Sequence, residues 1–491
     1  MTICIQEDKM ASLKKNYLYN IALTVSSYIF PLLVFPYVTR ILGVHSFGIC
    51  NFVDSIIQYF VLFSFLGMQT MATREIAKVK DSPLLLKSTF NSLLCLNCIT
   101  TIVALLVLYF SILVIPKFET YKFLLLIGSA KILSNTLMVE WFYIGTENFK
   151  YITIRSLIVR SIYVLSVFLL VKRPTDYILY FGLTISMFVF NALINIVNIK
   201  KYTSFSFKNL NVRAYVRPFI ILGLYQVLTS MYTTFNVAYL GFVSGETEVG
   251  FYTVATKIFT VLLGVFTAFT GVMLPRLSFL IEQGAFEEFK RKITSSVDVL
   301  LAFSSPIIIM VAVYAPTLIH IIAGNNYAGS ILPLRMIIPL ILVIGYEQIL
   351  VLQILTPLNK DKAILLNSLI GAIVGIIFNI LLVHRFRQIG SALVWFFSEI
   401  SVLSIAQYFV YKYIRMSFPF KIYGKYIYCA IPFLGISYFI KYYLGDSLFS
   451  FFFSALIAVS YFYIVYVFVL KNQTVINIHR EIAKRFKKCT F

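Results

Sequence analysis

Long unbroken apolar runs separated by short polar segments occupy the chain from residue 16 to residue 470. A helix rises about 1.5 Å per residue, so about 20 apolar residues cross a hydrocarbon core about 30 Å thick. Runs of that length lie at 16–40, 49–69, 90–115, 121–144, 152–172, 176–198 and 216–243 in the first half. The second half supplies 249–274, 295–323, 330–357, 363–385, 388–413, 424–443 and 447–470. The pattern predicts an all-α polytopic membrane protein with about fourteen transmembrane helices. The runs are continuous rather than ten-residue alternating segments, which argues against a β-barrel. Glu7, Asp8, Lys9, Lys14 and Lys15 stand where a cleaved signal peptide would need its short apolar core, so the first span is expected to be retained.

Composition explains what kind of solvent such a chain needs. Of 491 residues, 60% are apolar and 13% charged, against roughly 25% charged in soluble domains. A mean hydropathy of +0.87 leaves too little polar surface for a soluble globule. The same numbers exclude disorder, collagen-like repeats and a secreted disulfide scaffold. Lys and Arg number 42 against 20 Asp and Glu, a net charge of +22. A nucleic-acid binder would solvate such cations on a polar surface. Here the loops hold them instead. With the N-terminus assigned to the cytoplasm, loops and tails on that side carry 30 Lys and Arg, the opposite side carries 8, and four lie within spans. That asymmetry follows the positive-inside rule and places both termini in the cytoplasm. The tail HREIAKRFKK (479–488) reads as a topology anchor that could also rest on anionic lipid.

Internal similarity organises the spans. WFYIGTENFKYITIRSLI (141–158) aligns without gaps to QILTPLNKDKAILLNSLI (353–370), matching Lys150 to Lys362, Ile152 to Ile364 and Ser156-Leu157-Ile158 to Ser368-Leu369-Ile370. Phe47-Gly48 and Val249-Gly250 open spans two and eight, and Arg74 and Arg276 follow each pair at the same interval. Both matches shift by six helices. An even shift preserves orientation, so the expected architecture is two parallel-repeat six-helix bundles, 1–200 and 201–415. Two additional helices follow at 416–470, and then a basic cytoplasmic tail at 471–491. Parallel repeats are a transporter design, with substrate handled where the halves meet.

The motifs resemble the polysaccharide-transporter family, the O-antigen and repeat-unit flippases (Wzx type) of the multidrug/oligosaccharidyl-lipid/polysaccharide exporter superfamily. FPYVTRILGVHSFGICNF (35–52), LGMQTMATREIAK (66–78), VEWFYIGTENFKYITIRS (139–156), VGFYTVATKI (249–258) with MLPRLS (273–278), and LRMIIPLILVIGYEQILVLQILTPLNK (334–360) carry the likeness. It runs in family order from about residue 12 to 415. The resemblance implies export of a lipid-linked oligosaccharide on an undecaprenyl diphosphate anchor across the bacterial inner membrane. It also implies twelve core helices plus two. The chain departs from the family in span seven, where an Asp is common and TTFNVAYLG (233–241) carries Asn236. An ion coupled through that carboxylate elsewhere in the superfamily would lack it here.

Moving a diphosphate and sugars through hydrocarbon requires a hydrated route with fixed cations, since an unpaired charge in that slab is costly. Lys131 lies mid-span in helix four, Arg160 in the inner half of helix five and Lys257 in the outer half of helix eight. These three, from both halves, suit a cationic cleft that holds the diphosphate. Arg40 and Arg335, near the outer face, would assist at a gate or snorkel to the interface. Asp54, Glu140, Glu347 and Glu399 could couple an ion or pair with the cations, Glu347 and Glu399 being candidate partners of Lys131, Arg160 and Lys257. Arg74, Arg155 and Arg276 sit at cytoplasmic ends, where topology alone accounts for them. Asn20, Gln226, Gln353 and Asn379 could bond sugars or bridge helices.

Enzyme signals are thin. The Cys95-x-x-Cys98 spacing has no histidine near it, His45, His320, His384 and His479 are scattered, and no phosphate-binding G-x-x-x-x-G-K-[ST] loop is present. No cofactor is expected. Expected partners are the lipid-linked oligosaccharide, membrane lipids and polysaccharide polymerase machinery, with no nucleic acid. A cation-coupled multidrug exporter would want an acid-rich cavity. A membrane glycosyltransferase or polymerase would want a large external loop, and no loop here exceeds about twenty residues.

Overall fold

The computed structural model describes residues 2–206, 210–472 and 476, with side chains from Leu18 onward except those of 20 and 28. The basic segment 479–488 and the side chain of Asn20 lie outside the described residues. Among these the secondary structure is helical, without strands. The chain forms two compact units, one through Gly250 and one from Phe251 onward.

The first unit contains α1 (Thr2–Phe65), α2 (Met68–Val79), α3 (Pro83–Val114), α4 (Pro116–Thr120), α5 (Lys122–Leu137) and α6 (Glu140–Gly145). It continues through α7 (Phe149–Leu170), α8 (Tyr177–Ile199), α9 (Arg213–Ser230) and α10 (Thr234–Ser244). Next, α11 (Glu246–Glu282) leads into the second unit, with α12 (Phe286–Ile322), α13 (Ile331–Ile337), α14 (Leu340–Gln348), α15 (Asp361–Phe378) and α16 (His384–Ile414). The last two helices, α17 (Phe420–Leu444) and α18 (Leu448–Ile464), complete it.

Ten helices among the described residues are long and apolar enough to cross a membrane. The count is eleven if Asn325–Ile337 and Leu340–Leu355, which meet at 48°, form one span. This count does not by itself confirm the expected fourteen, and the difference has a local cause. Ile21–Val79 runs for 59 residues and Asp361–Ile414 for 54, each far more than the roughly 20 a span needs. Each is broken inside, at Gly43 (φ 70°, ψ 176°) and at Arg387 (φ 50°, ψ −128°). A positive φ is open to glycine without a Cβ penalty, so Gly43 suits a sharp break between two helices. The seventh expected span appears as α9 and α10, interrupted at 231–233, and neither part is among the ten.

Packing separates an interior from a lipid-facing exterior. In the first unit Met68, Met71, Phe90, Trp141, Phe142 and Phe219 form one buried cluster. In the second, Phe266, Leu300, Tyr314, Tyr346, Phe433 and Phe462 form another, and it takes in residues of α17 and α18. Outward faces are apolar as well: Leu84, Leu106, Phe110, Leu113 and Leu169 are all exposed. An apolar exterior of this extent is stable only in lipid. The protein is a multi-pass membrane protein.

Candidate functional site

The charged groups inside the first unit are brought together by close helix contacts. Gly128 on α5 faces Ile57 on α1, where an added Cβ would lie 2.6 Å from Ile57 Cγ1. The absent side chain lets the two helices approach, and Lys131, one turn on, reaches Asp54 with Nζ 2.6 Å from Oδ1. The lysine side chain is 8% exposed and the aspartate 41%. The face of Phe188 on α8 lies 5.1 Å from the same ammonium, a favourable placement for a desolvated cation. Of the carboxylates that sequence reasoning named for pairing, Asp54 is the one that meets Lys131, rather than Glu347 or Glu399, because α1 and α5 are the helices in contact.

Arg160 on α7 points at the first segment of α1, donating from Nη1 to Ser26 Oγ at 2.5 Å and to the Leu23 carbonyl at 3.4 Å. Closer to the start of α7 lies Arg155, a position at a span end that topology alone would explain. It is in fact buried, with Nη2 2.6 Å from Glu140 Oε1 and 2.9 Å from Ser156 Oγ. Glu140 thus acts as the counter-charge of Arg155. Arg40 is exposed three residues before the break at Gly43.

In the second unit, Lys257 on α11 and Arg335 on α13 are both exposed, and Arg335 donates from Nε to the Ala312 carbonyl at 2.9 Å. Glu399 on α16 is buried and accepts a hydrogen bond from Trp395 Nε1 at 2.9 Å. Glu347 on α14 is half-buried and lies within electrostatic reach of Glu399. Neither carboxylate forms an ion pair among the described residues. Of the three π-helical segments among the described residues of this unit, the third being Val465–Val469, two follow α14 and α15, at Ile349–Leu355 and Asn379–Val383. They carry the buried amides Gln353, whose side-chain N and O find no partner among the described residues, and Asn379, whose Oδ1 finds none. Such bulges often occur at functional positions, and no sequence pattern marked them. Asn236, at the departure in span seven, is fully buried on α10 just beyond its break with α9.

The WFYIG motif proves to be scaffold. Trp141, Phe142 and Tyr143 are fully buried, Phe90 packs on Trp141 at 5.5 Å, and Tyr143 donates to the Asn195 carbonyl at 2.9 Å. Cys95 and Cys98 are half-buried free thiols. No group of three His, Cys, Asp or Glu among the described residues is placed to hold a metal. Lys131, Arg155, Arg160 and Arg335 are instead held by carboxylate, hydroxyl and carbonyl oxygens, ligands that an incoming anion could replace. This arrangement suits reversible anion binding.

The chain matches the polysaccharide biosynthesis protein family over residues 13–280. It is 25% identical over 411 residues to a protein named "Putative O-antigen transporter" from Escherichia coli (strain K12), covering 81% of this chain and 97% of that one. A Shigella dysenteriae protein of the same name is 27% identical over 394 residues, covering 80% and 98%. Among solved structures the fold is similar to lipid II flippase MurJ in an inward closed conformation. There the TM-score is 0.78 at 17% identity, over 93% of this chain and 99% of that one. An inward-facing multidrug resistance MATE family transporter of the MOP superfamily scores 0.54 at 12% identity, over 77% and 92%. With more than half its length matched, the chain belongs to the polysaccharide biosynthesis protein family.

Proposed function

We propose that the protein is a flippase that moves undecaprenyl-diphosphate-linked oligosaccharide repeat units across the bacterial inner membrane by alternating access, for O-antigen or another surface polysaccharide. The observation that carries this reading is the match to relatives named as O-antigen transporters along nearly their whole length. The fold supports it, since the likeness to a lipid II flippase, at a TM-score of 0.78, exceeds that to a multidrug transporter, at 0.54. A multidrug exporter therefore fits less well. The excess of Lys and Arg on alternate loops supports a cytoplasmic location for both termini. Exported units would pass to polymerase machinery on the far side.

Within this reading Lys131, Arg160 and Lys257 hold the diphosphate in turn, and Arg40 and Arg335 assist near the outer face. Asp54 occupies Lys131 when substrate is absent, keeping the buried ammonium paired. Glu347 and Glu399 are the groups proposed to take up a coupling cation or proton. Moving one charge across the membrane is worth about 2.3 kcal/mol per 100 mV, enough to bias a transport cycle.

The test is export in a strain whose own repeat-unit flippase is deleted. Lys131→Ala, Arg160→Ala and Lys257→Ala should each lower surface polysaccharide about tenfold, a loss of about 1.4 kcal/mol, with the protein still in the membrane. Normal surface polysaccharide from the triple variant would overturn the cationic route. Drug efflux without polysaccharide export from the wild-type chain would overturn the flippase reading itself.

A further inference from the structure

A cavity of about 500 Å³ opens between the start of α7 and the end of α8, lined wholly by residues of the first unit. Three cations line it: Lys150, Arg155 and Lys201. Lys150 and Lys201 are exposed, and neither ammonium makes a hydrogen bond or ion pair among the described residues. Arg155 is 5% exposed, and its Nε and Nη1 have no partner among the described residues although Nη2 is engaged by Glu140. Buried guanidinium donors without acceptors are costly, so the cavity is short of an anion. The nearby carboxylates do not supply it: Glu140 is committed to Arg155 and Glu147 to Lys80, each at 2.6 Å.

The apolar part of the lining says what carries the anion. Ile154, Ile158 and Ile194 border the cavity and are 44%, 55% and 41% exposed. Beyond the cavity the same face of α7 continues as exposed Ile162, Leu165 and Leu169, at the three- and four-residue spacing of one helix stripe. A soluble anion has no use for an apolar track running along the helix. A lipid needs both parts, a cationic seat for its phosphate and a groove for its acyl chain. Tyr151 and Tyr202 also line the cavity, and aromatic rings with a polar end favour the headgroup level of a bilayer.

We propose that this cavity is a binding site for the phosphate of an anionic phospholipid, with one acyl chain lying along the Ile154–Leu169 face of α7. The site is separate from the cations assigned to transport. Its occupant completes the unfilled hydrogen bonds of Arg155 and ties the α7–α8 pair to the leaflet on the lysine-rich side of the membrane.

The full chain, purified into phosphatidylcholine nanodiscs, is titrated with phosphatidylglycerol, and bound lipids are counted by native mass spectrometry. K150A/K201A should weaken phosphatidylglycerol retention about tenfold or more, since each basic residue near an anionic headgroup contributes substantially. The same charge change at the exposed Lys421 and Lys425 should alter it less than about twofold. Both variants keep Arg155 and Glu140, so folding is preserved and is checked by melting temperature. Equal losses in the two double variants, or retention of phosphatidylcholine as strong as that of phosphatidylglycerol, would overturn the site. Displacement of the bound lipid by inorganic phosphate would overturn its assignment to a phospholipid. Displacement by undecaprenyl diphosphate in a Lys150- and Lys201-dependent way would assign the cavity to the transported substrate instead.

Discussion

The two units hold the carboxylates proposed for pairing or coupling in different ways. In the first, Asp54 meets Lys131 and Glu140 meets Arg155, both at 2.6 Å. In the second, Glu347 and Glu399 lie near one another, and the hydrogen bond the structure shows to Glu399 comes from a neutral indole. A pair of opposite charges is self-sufficient, and removing one member strands the other. A pair of like charges is the reverse case, since removing one relieves the other. Within the proposed function, the first arrangement keeps cations paired until substrate replaces their carboxylate partners. The second leaves a deficit of positive charge that a proton or small cation would fill. Within the proposed function the two arrangements correspond to different tasks, anion handling and coupling.

The contrast breaks most visibly at Glu140. Glu140→Gln leaves the Arg155 guanidinium, 3% exposed, without its carboxylate partner in the protein. Loss of one partner from a buried pair costs about 3–5 kcal/mol, so the variant should show a strongly lowered melting temperature in detergent. Glu140→Gln combined with Arg155→Met should recover much of it, and failure of the double variant to recover would show that the pair does more than balance charge.

Glu347→Gln probes the other unit and should act in the opposite direction. Removing one of two neighbouring carboxylates should leave thermal stability unchanged or raise it. Polysaccharide export should fall all the same if the pair takes up the coupling ion. A destabilisation as large as that of Glu140→Gln would mean that Glu347 has a cationic partner and that the two units are alike.

How much of this was legible in the residues follows from the range of each interaction. The spans could be read because lipid selects apolar runs of a set length, and the turns near Gly43 and Arg387 fall where charged or glycine residues interrupt those runs. Arg155 was misjudged because position near a span end suggests exposure, whereas burial depends on α6 turning back to present Glu140. The Asp54–Lys131 pair joins residues 77 apart, and it depends on Gly128 admitting α1, a contact no local pattern announces. The family motif around Trp141 was visible as a sequence but not as scaffold. Its neighbours Asn148, Lys150, Tyr151 and Arg155 line the α7–α8 cavity only because Lys201 and Tyr202 arrive from the far end of α8.

The smallest effect is expected from the pair outside the membrane. Lys80 and Glu147 also meet at 2.6 Å, but their side chains are 35% and 51% exposed. Water screens such a pair, so Lys80→Ala should cost no more than about 0.2–1 kcal/mol. The hydrogen bond to Glu147 holds the Lys80 ammonium above its ordinary value of 10.5. A raised folded value means the contribution is fully present below pH 10.5 and is lost only as pH climbs through the folded value. Melting temperatures of wild type and Lys80→Ala should therefore differ slightly and by a constant amount from pH 7 to pH 9. Since distance is the same as in the buried pairs, a difference approaching that of Glu140→Gln would show that separation rather than burial sets the energy of these contacts. A small and salt-sensitive difference would place the distinction between the pairs in the solvent around them.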